Sequence, residues 1–396
     1  MPLALLEGLA GAGSEAPRAL NTRGRALPLA ALEGLTEARS EALRALCVCS
    51  RAFQLKRRGR SEAAHAPPLA LPKPPPIRIL DTMVNTEFIS TGFHVPERVV
   101  PNDELTEYWE TSDEWIRERS GIETRRWAER GGETGSDLAL KAALSALERA
   151  DMDPSELDCI VYATLSPEHY FPGGGVFLQR KLGLSVVDAW IRTGQYRRVL
   201  LVGAELQSPA LEYEYPEGRN MGVLFGDGAG AAILGPTDDP DRGVLGTNLF
   251  SDGRFAELLW VEGAGMSGFP WISHEDLENQ KLYPRMEGRE VFKHAVKRMP
   301  EALTALMEAH DVSAESIDLF IAHQANLRIN EMVARRLGLR EDQVYNNIER
   351  FGNTTAATIP IALDECARSG RLERGDLLAL TAFGSGFTWG SALIRW

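Results

Sequence analysis

Asp318-Leu319-Phe320-Ile321-Ala322-His323-Gln324-Ala325-Asn326-Leu327-Arg328-Ile329 is the stretch around which this chain is organised. A short apolar run ends abruptly at a histidine, and Leu327, Val333 and Leu337 then recur at the spacing of one helical face. The pattern predicts a strand feeding a helix, with His323 at the joint. In open α/β sheets such joints lie at the carboxyl ends of strands, where helix N-termini leave backbone N–H groups free. A neutral imidazole there can donate or accept a hydrogen bond. A lone histidine is more often a core residue satisfied by backbone. Here a second polar cluster, Phe351-Gly352-Asn353-Thr354-Thr355-Ala356-Ala357, opens another helix downstream. Two such joints can converge on one site, which makes His323 and Asn353 candidates for chemistry.

Outward from that stretch, composition sets the bounds. The chain has 396 residues, 44% hydrophobic and 25% charged, enough for one large globular unit or two similar halves. A net charge of −13 argues against nucleic acid as a partner, so an acidic partner must meet a local basic patch. Cys47, Cys49, Cys159 and Cys366 form neither a disulfide framework nor a metal-binding pattern. No apolar run approaches the roughly 20 residues that span a bilayer. A cytoplasmic protein without a membrane or metal partner is expected.

Residues 1–82 differ from the rest, being rich in Ala, Leu, Arg and Pro. The segment beginning at Pro2 recurs in altered form from Pro28, followed by the basic run Lys56–Arg60 and prolines 72 and 74–76. A disordered low-complexity extension is expected there, with Met83 a plausible true start. Beyond it, Phe88–Gly92 reads as a strand, Ser112–Arg119 as a capped helix, Gly135–Ala150 as an amphipathic helix and Cys159–Thr164 as a buried-type strand. Gly173-Gly174-Gly175 starts a further helix that ends at Lys181-Leu182-Gly183. The acidic turn Asp238–Asp241 divides an N-terminal half, 83–240, from a C-terminal half, 241–396.

After Leu184 the rhythm breaks. Ser185-Val186-Val187-Asp188 is a capping-box pattern that opens another helix at once. In a parallel sheet each crossover helix delivers the chain to another strand, so a strand-turn segment is missing between Leu184 and Ser185. Order returns at the strand Val199–Ala204. Gly226-Asp227-Gly228-Ala229-Gly230-Ala231 matches a dinucleotide fingerprint by letters, but Gly235-Pro236 leaves no helix after it, so it reads as a tight glycine turn between strands. Leu377–Ala382 and Thr388–Arg395 form a hairpin around Phe383-Gly384-Ser385-Gly386-Phe387.

Ile321–Arg328, Phe351–Ala357, Gly226–Leu234 and Phe383–Arg395 together resemble the β-ketoacyl-acyl-carrier-protein synthase III family, from about residue 85 to Trp396. The resemblance implies a thiolase-like α/β fold: two similar βαβαβαββ halves in five layers (αβαβα), working as a homodimer. It implies a decarboxylating Claisen condensation of an acyl-CoA with malonyl-acyl-carrier protein at the start of fatty acid biosynthesis, without a cofactor. In that family a Cys-His-Asn triad acts, and His323 and Asn353 stand at its last two positions. Two neutral donors aimed at one thioester oxygen would stabilise the enolate left by decarboxylation, each worth roughly 3 kcal/mol. Gly384, Ser385 and Gly386 resemble the family's triple-glycine oxyanion loop, where the Cβ of Ser385 would crowd the chain. Trp115 and Arg119 match coenzyme A-binding positions. Gln324, Ala325, Asn326, Leu327 and Arg328 match the contact with acyl carrier protein, which Lys293, Lys297 and Arg298 would widen.

The family's nucleophilic cysteine belongs where Leu184 meets Ser185, in a strand and turn of about twenty residues. Cys159 in its apolar strand and Cys366 behind Asp364 and Glu365 are unsuited to form a thiolate. The chain as written is therefore expected to be inactive in condensation. The alternatives are a non-catalytic acyl-thioester or carrier-protein binder and a malonyl-thioester decarboxylase. Loss of a central strand would exceed a stability of roughly 5–15 kcal/mol, so poor folding is expected too.

Overall fold

The structure is a computed structural model that describes residues 85–168, 174–182, 196–263 and 271–396. The expected extension at 1–82 and the expected helix from Ser185 fall outside the described residues. Two main sheets carry the fold. The first contains β1 (Asn85–His94), β2 (Cys159–Ala163), β3 (Val199–Glu205) and β4 (Gly228–Thr237) in the order β1-β4-β3-β2. The second contains β5 (Gly243–Ser251), β6 (Leu319–Ala322), β7 (Val344–Tyr345), β8 (Leu377–Gly384) and β9 (Thr388–Arg395) in the order β5-β9-β8-β6-β7. Directions also correspond. In each sheet the first two junctions are antiparallel and the next is parallel. The second sheet then adds β7, parallel to β6, at its edge. No described strand occupies the matching place outside β2.

Helices α1 (Asp113–Ser120), α2 (Gly135–Ala150), α3 (Gly174–Lys181), α4 (Gly288–Ala309), α5 (Leu327–Leu337) and α6 (Thr358–Ser369) complete the layers. Two of these starts have a clear local cause. Ser112 caps α1 by accepting the N–H of Trp115, and Thr134 and Asp137 form a capping box at α2. Apolar residues of α2 cover one face of the first sheet through Leu138, Ala142 and Leu147, while α6 lies against its other side at β1 and β4. In the second sheet β6 is buried on both faces, whereas the edge strand β5 is partly exposed. Leu319 and Ile321 of β6 meet Leu363 and Cys366 of α6, whereas Phe320 and Ala322 point to Met299 and Leu303 of α4 and Val333 of α5. Strands covered on both faces must be apolar throughout, which is why β6 reads as an unbroken run. Each such Leu, Ile or Phe contributes about 1.5–3 kcal/mol by leaving water. The sequence of layers is helix, sheet, helix, sheet, helix.

Two expectations change. The segment before β4 is not a strand: Arg219–Gly222 is a single helical turn, and the strand begins only at Gly228. The glycines there serve close packing. A Cβ on Gly226 would lie 2.2 Å from the Phe351 carbonyl oxygen, and one on Gly230 would lie 2.5 Å from Pro360 Cβ. Cys159–Ala163 is also less buried than its apolar sequence suggests, because β2 is the outermost described strand of its sheet, and Val161 is exposed. Among the described residues no helix is long and apolar enough to cross a membrane, and no cluster of His, Cys, Asp and Glu is arranged to hold a metal ion.

Candidate active site

The β6 ladder runs one rung past Ala322, because the His323 N–H donates to Thr381 O of β8 at 2.9 Å. This pins His323 at the carboxyl end of the sheet. The chain then turns into α5, whose N-cap Asn326 accepts the Arg328 N–H at 3.0 Å and donates to Arg119 O at 2.8 Å. Burial pushes the His323 imidazole down to about 4, so the ring is neutral at physiological pH. Its Nδ1 lies 2.7 Å from Thr358 Oγ1, at the first turn of α6.

Asn353 reaches the same end of the molecule from the turn between the short helix Ile348–Phe351 and α6, where a strand-helix joint was expected. Its N–H donates to Leu224 O at 2.8 Å and its carbonyl accepts the Gly226 N–H at 3.1 Å, which clips it to the loop that precedes β4. Gly352 makes the approach with φ of +64°, a conformation that favours glycine. Asn353 Oδ1 accepts the Thr355 N–H at 2.8 Å. Thr355 also accepts the Thr358 hydroxyl on its carbonyl at 2.9 Å. One residue thus links the two sequence-predicted candidates: Thr355 touches Asn353 directly and His323 through Thr358. Neither His323 Nε2 nor Asn353 Nδ2 has a hydrogen-bond partner among the described residues, and both are free to meet a ligand.

Sequence reasoning misses Glu205, a fully buried acid that closes β3. It accepts the Ala356 N–H at 3.3 Å, the Leu165 N–H at 3.0 Å and the Ser166 hydroxyl at 2.6 Å, joining the Asn353 segment to the first sheet. The available signal is an acid at the end of an otherwise apolar strand. Such a group persists in a core only when hydrogen-bonded.

Gly384, Ser385 and Gly386 join β8 to β9 at the same end of the sheet as His323. The loop is held from outside, since Phe387 and Asp252 exchange backbone hydrogen bonds at 2.8 and 3.2 Å. Gly386 has φ of +120°, which only glycine adopts readily. Ser385 does not crowd the loop, because it is exposed and its carbonyl accepts the Thr388 hydroxyl at 2.9 Å.

Trp115 and Arg119 line a cleft of about 570 Å³ between α1, the start of α4 and the start of α5. Its lining carries the cations Arg119, Arg289, Lys293 and Arg328 and no acidic residue, in a chain of net charge −13. That lining suits a ligand with several negative charges and an apolar or aromatic portion. Guanidinium carbons of Arg119 and Arg219 lie 4.4 and 4.7 Å from the Trp115 ring centroid. Arg219 carried no sequence signal. The cleft stops short of His323 and Asn353: its lining includes Asn326, three residues beyond His323, and Leu224, whose carbonyl accepts the Asn353 N–H.

The remaining candidates separate. Gln324 is 1% exposed and spends its amide on Ala322 O and the Asn347 N–H, so it holds the joint and offers no surface. Leu327 packs against Gly121, and of the five residues 324–328 only Arg328 is exposed. Lys293 and Lys297 are exposed on α4, whereas Arg298 lies over Trp389. Cys366 is buried, and burial followed by the Glu365 carboxylate pushes its thiol up to about 12. It is no nucleophile at neutral pH. Cys159 is half-buried on β2.

Comparison with known proteins follows these features closely. Residues 307–396 match the family model for the C-terminal part of 3-oxoacyl-[acyl-carrier-protein (ACP)] synthase III, and residues 181–253 match the model for 3-oxoacyl-[acyl-carrier-protein (ACP)] synthase III. The β-ketoacyl-[acyl-carrier-protein] synthase III of Bradyrhizobium sp. is 41% identical over 336 aligned positions, covering 79% of this chain and 99% of that protein. The corresponding protein of Xylella fastidiosa is 44% identical over 325, covering 77% and 97%. The crystal structure of 3-oxoacyl-[acyl-carrier-protein] synthase III from Aquifex aeolicus superposes with a TM-score of 0.71 at 38% identity, over 78% of this chain and all of that one. Since 79% of 396 residues is about 313, roughly 23 of the 336 positions in the first alignment meet no residue of this chain.

Proposed function

The chain belongs to the 3-oxoacyl-[acyl-carrier-protein] synthase III family of acyltransferases, and we propose that it retains that family's malonyl half-reaction, carried by His323 and Asn353, without the half that needs a cysteine. Its family role is that of a β-ketoacyl-acyl-carrier-protein synthase III in fatty acid synthesis. The observation that carries the proposal is the shared attachment of His323 and Asn353 to Thr355, which leaves one ligand-facing nitrogen on each.

In the complete reaction an acyl group moves from coenzyme A to a thiol and then to a malonyl-derived enolate. The malonyl step is chemically separate. Asn353 Nδ2 donates to the thioester oxygen as the bond to the carboxylate breaks. The electron pair of that bond flows into the enolate, carbon dioxide leaves, and the donor strengthens as charge grows on the oxygen. Without an acyl group to attack, the enolate takes a proton and becomes an acetyl thioester. The cleft with its four cations would hold the phosphates and adenine of a coenzyme A thioester, and Arg328 would meet acidic residues of acyl carrier protein. A second copy of the chain is the remaining partner that we propose.

The lost nucleophile segment is supported by three independent features. Two helical patterns abut at Leu184-Ser185. The first sheet has no described counterpart of β7. About 23 aligned positions meet no residue of this chain. Incubating the purified chain with malonyl-acyl-carrier protein and acetyl-CoA tests the reading. Release of carbon dioxide with acetyl-carrier protein and no condensation product is expected. A condensation product would overturn the claim that the second half is lost. Binding without carbon dioxide release would leave a thioester-binding protein only.

A further inference from the structure

We propose that Thr358 is the positioning residue for His323: its hydroxyl holds the imidazole as the Nδ1–H tautomer and leaves Nε2 an open acceptor. The inference rests on the proposed role of His323 in the malonyl step and changes what that histidine offers. Two neutral donors were the expectation from sequence. The hydrogen bonds give one donor and one acceptor.

The argument is a count of protons. Thr358 Oγ1 lies 2.7 Å from His323 Nδ1 and 2.9 Å from Thr355 O. A hydroxyl has one proton, and a carbonyl oxygen can only accept. If the hydroxyl proton pointed at the imidazole, two oxygens would face each other at 2.9 Å with no hydrogen between them. The Thr358 proton therefore goes to Thr355 O, and the hydroxyl oxygen accepts from Nδ1–H. Which ring nitrogen carries the proton is set by the bond that the other one makes, and Thr358 makes the only side-chain bond to this ring among the described residues. Asn353 is fixed by the same residue in the opposite sense: its oxygen is taken by the Thr355 N–H, so the amide NH₂ is what remains.

Thr355 itself shows that this wiring is enforced. It holds φ of +44°, uncommon for a residue other than glycine, in a segment tied down by Glu205 and by the 3.3 Å bond from Gln207 to the Thr355 hydroxyl. An acceptor at Nε2 repels a thioester or carboxylate oxygen and takes a hydrogen bond from a thiol or a water. The thioester oxygen is thereby left to Asn353, and the histidine handles a group that brings a hydrogen.

Nitrogen-15 spectra of histidine-labelled full chain read the tautomer directly, because the nitrogen coupled to both ring carbon protons is Nε2. In the wild type that nitrogen is expected to be pyridine-like and Nδ1 pyrrole-like, unchanged in Thr358→Ser. In Thr358→Val the Nδ1–H pattern should be lost, because nothing then accepts from that nitrogen and the ring is left as a mixture of tautomers. A pyrrole-like Nε2, or a mixture of tautomers, in the wild type overturns the proposal whether or not the valine variant folds. The expected tautomer in a protein that releases no carbon dioxide would uphold this inference and sink the functional reading.

Discussion

The Thr355 N–H donates to Asn353 Oδ1 at 2.8 Å, so the amide is oriented by a backbone group that no side-chain substitution removes. Asn353→Asp should keep this bond, because a carboxylate accepts there equally well. It would replace the ligand-facing NH₂ by an oxygen that repels the enolate. Carbon dioxide release from malonyl-acyl-carrier protein should fall about 100-fold or more, with the thermal transition little changed. Loss of folding together with activity would show that Asn353 is structural only.

The low value of the His323 ring makes a pH prediction. Unfolded, the ring protonates near 6.5; folded, near 4. Below about 6.5 the unfolded chain therefore binds more protons, and stability falls as pH drops from 6.5 through 4. The loss amounts to at most about 3.5 kcal/mol, from about 2.5 units at about 1.4 kcal/mol each. Chemical denaturation at pH 7 and pH 4.5 should show a loss that largely disappears in His323→Gln. Carbon dioxide release should show no titration near 6.5. A break there would mean that the ring is solvated, contrary to its burial.

How much of this was legible in the sequence depends on what each residue has to satisfy locally. The β6–His323–α5 joint was readable because strand and helix patterns meet at one residue, and the Ser112 cap because its partner lies three residues away. The burial of Gln324 is not legible in sequence, because its bond to the Asn347 N–H, 23 residues away, forms only in the folded chain. The Gly226 motif was misread before β4, since its glycines answer to Phe351 and Pro360, more than a hundred residues away. Arg219 was invisible for the same reason, as only folding sets it over Trp115.

Gly203 on β3 backs the Asn353 segment. A Cβ there would lie 2.3 Å from Ala356 O and 3.1 Å from Ala357 N, both backbone atoms that cannot step aside cheaply. Gly203→Ala should cost about 1–3 kcal/mol and displace the Thr355 turn. Thermal unfolding would read the first effect, and altered nitrogen shifts of His323 the second. An unperturbed melting temperature would mean that the segment has slack.

For the cleft, Arg219→Ala should weaken binding of coenzyme A about 5- to 30-fold, equivalent to about 1–2 kcal/mol for a guanidinium on an aromatic face. Binding should weaken further with salt, because four lining cations act on the ligand's phosphates. Calorimetry at two ionic strengths checks both. Unchanged affinity in Arg219→Ala would remove Trp115 and its guanidinium neighbours from the proposed adenine contact.

The place expected for the lost strand lies at an edge of the sheet. By correspondence with β7 it is the outer side of β2, so its loss removes one ladder of hydrogen bonds rather than two, and the cost is smaller than that of a missing central strand. Val161 and Leu165, 48% and 69% exposed, are the apolar residues that such a segment would help to cover. Grafting the roughly twenty-residue cysteine-bearing segment of a relative between Leu184 and Ser185 should therefore raise the melting temperature by several degrees. It should also create the missing nucleophile: after incubation with acetyl-CoA, the grafted chain should gain the mass of one acetyl group, which alkylation of the new cysteine prevents. The ungrafted chain, whose Cys366 is buried, should gain none. If the graft neither stabilises the chain nor becomes acetylated, the abutting sequence patterns at Leu184 are the protein's own design, and the thioester-binding reading takes precedence.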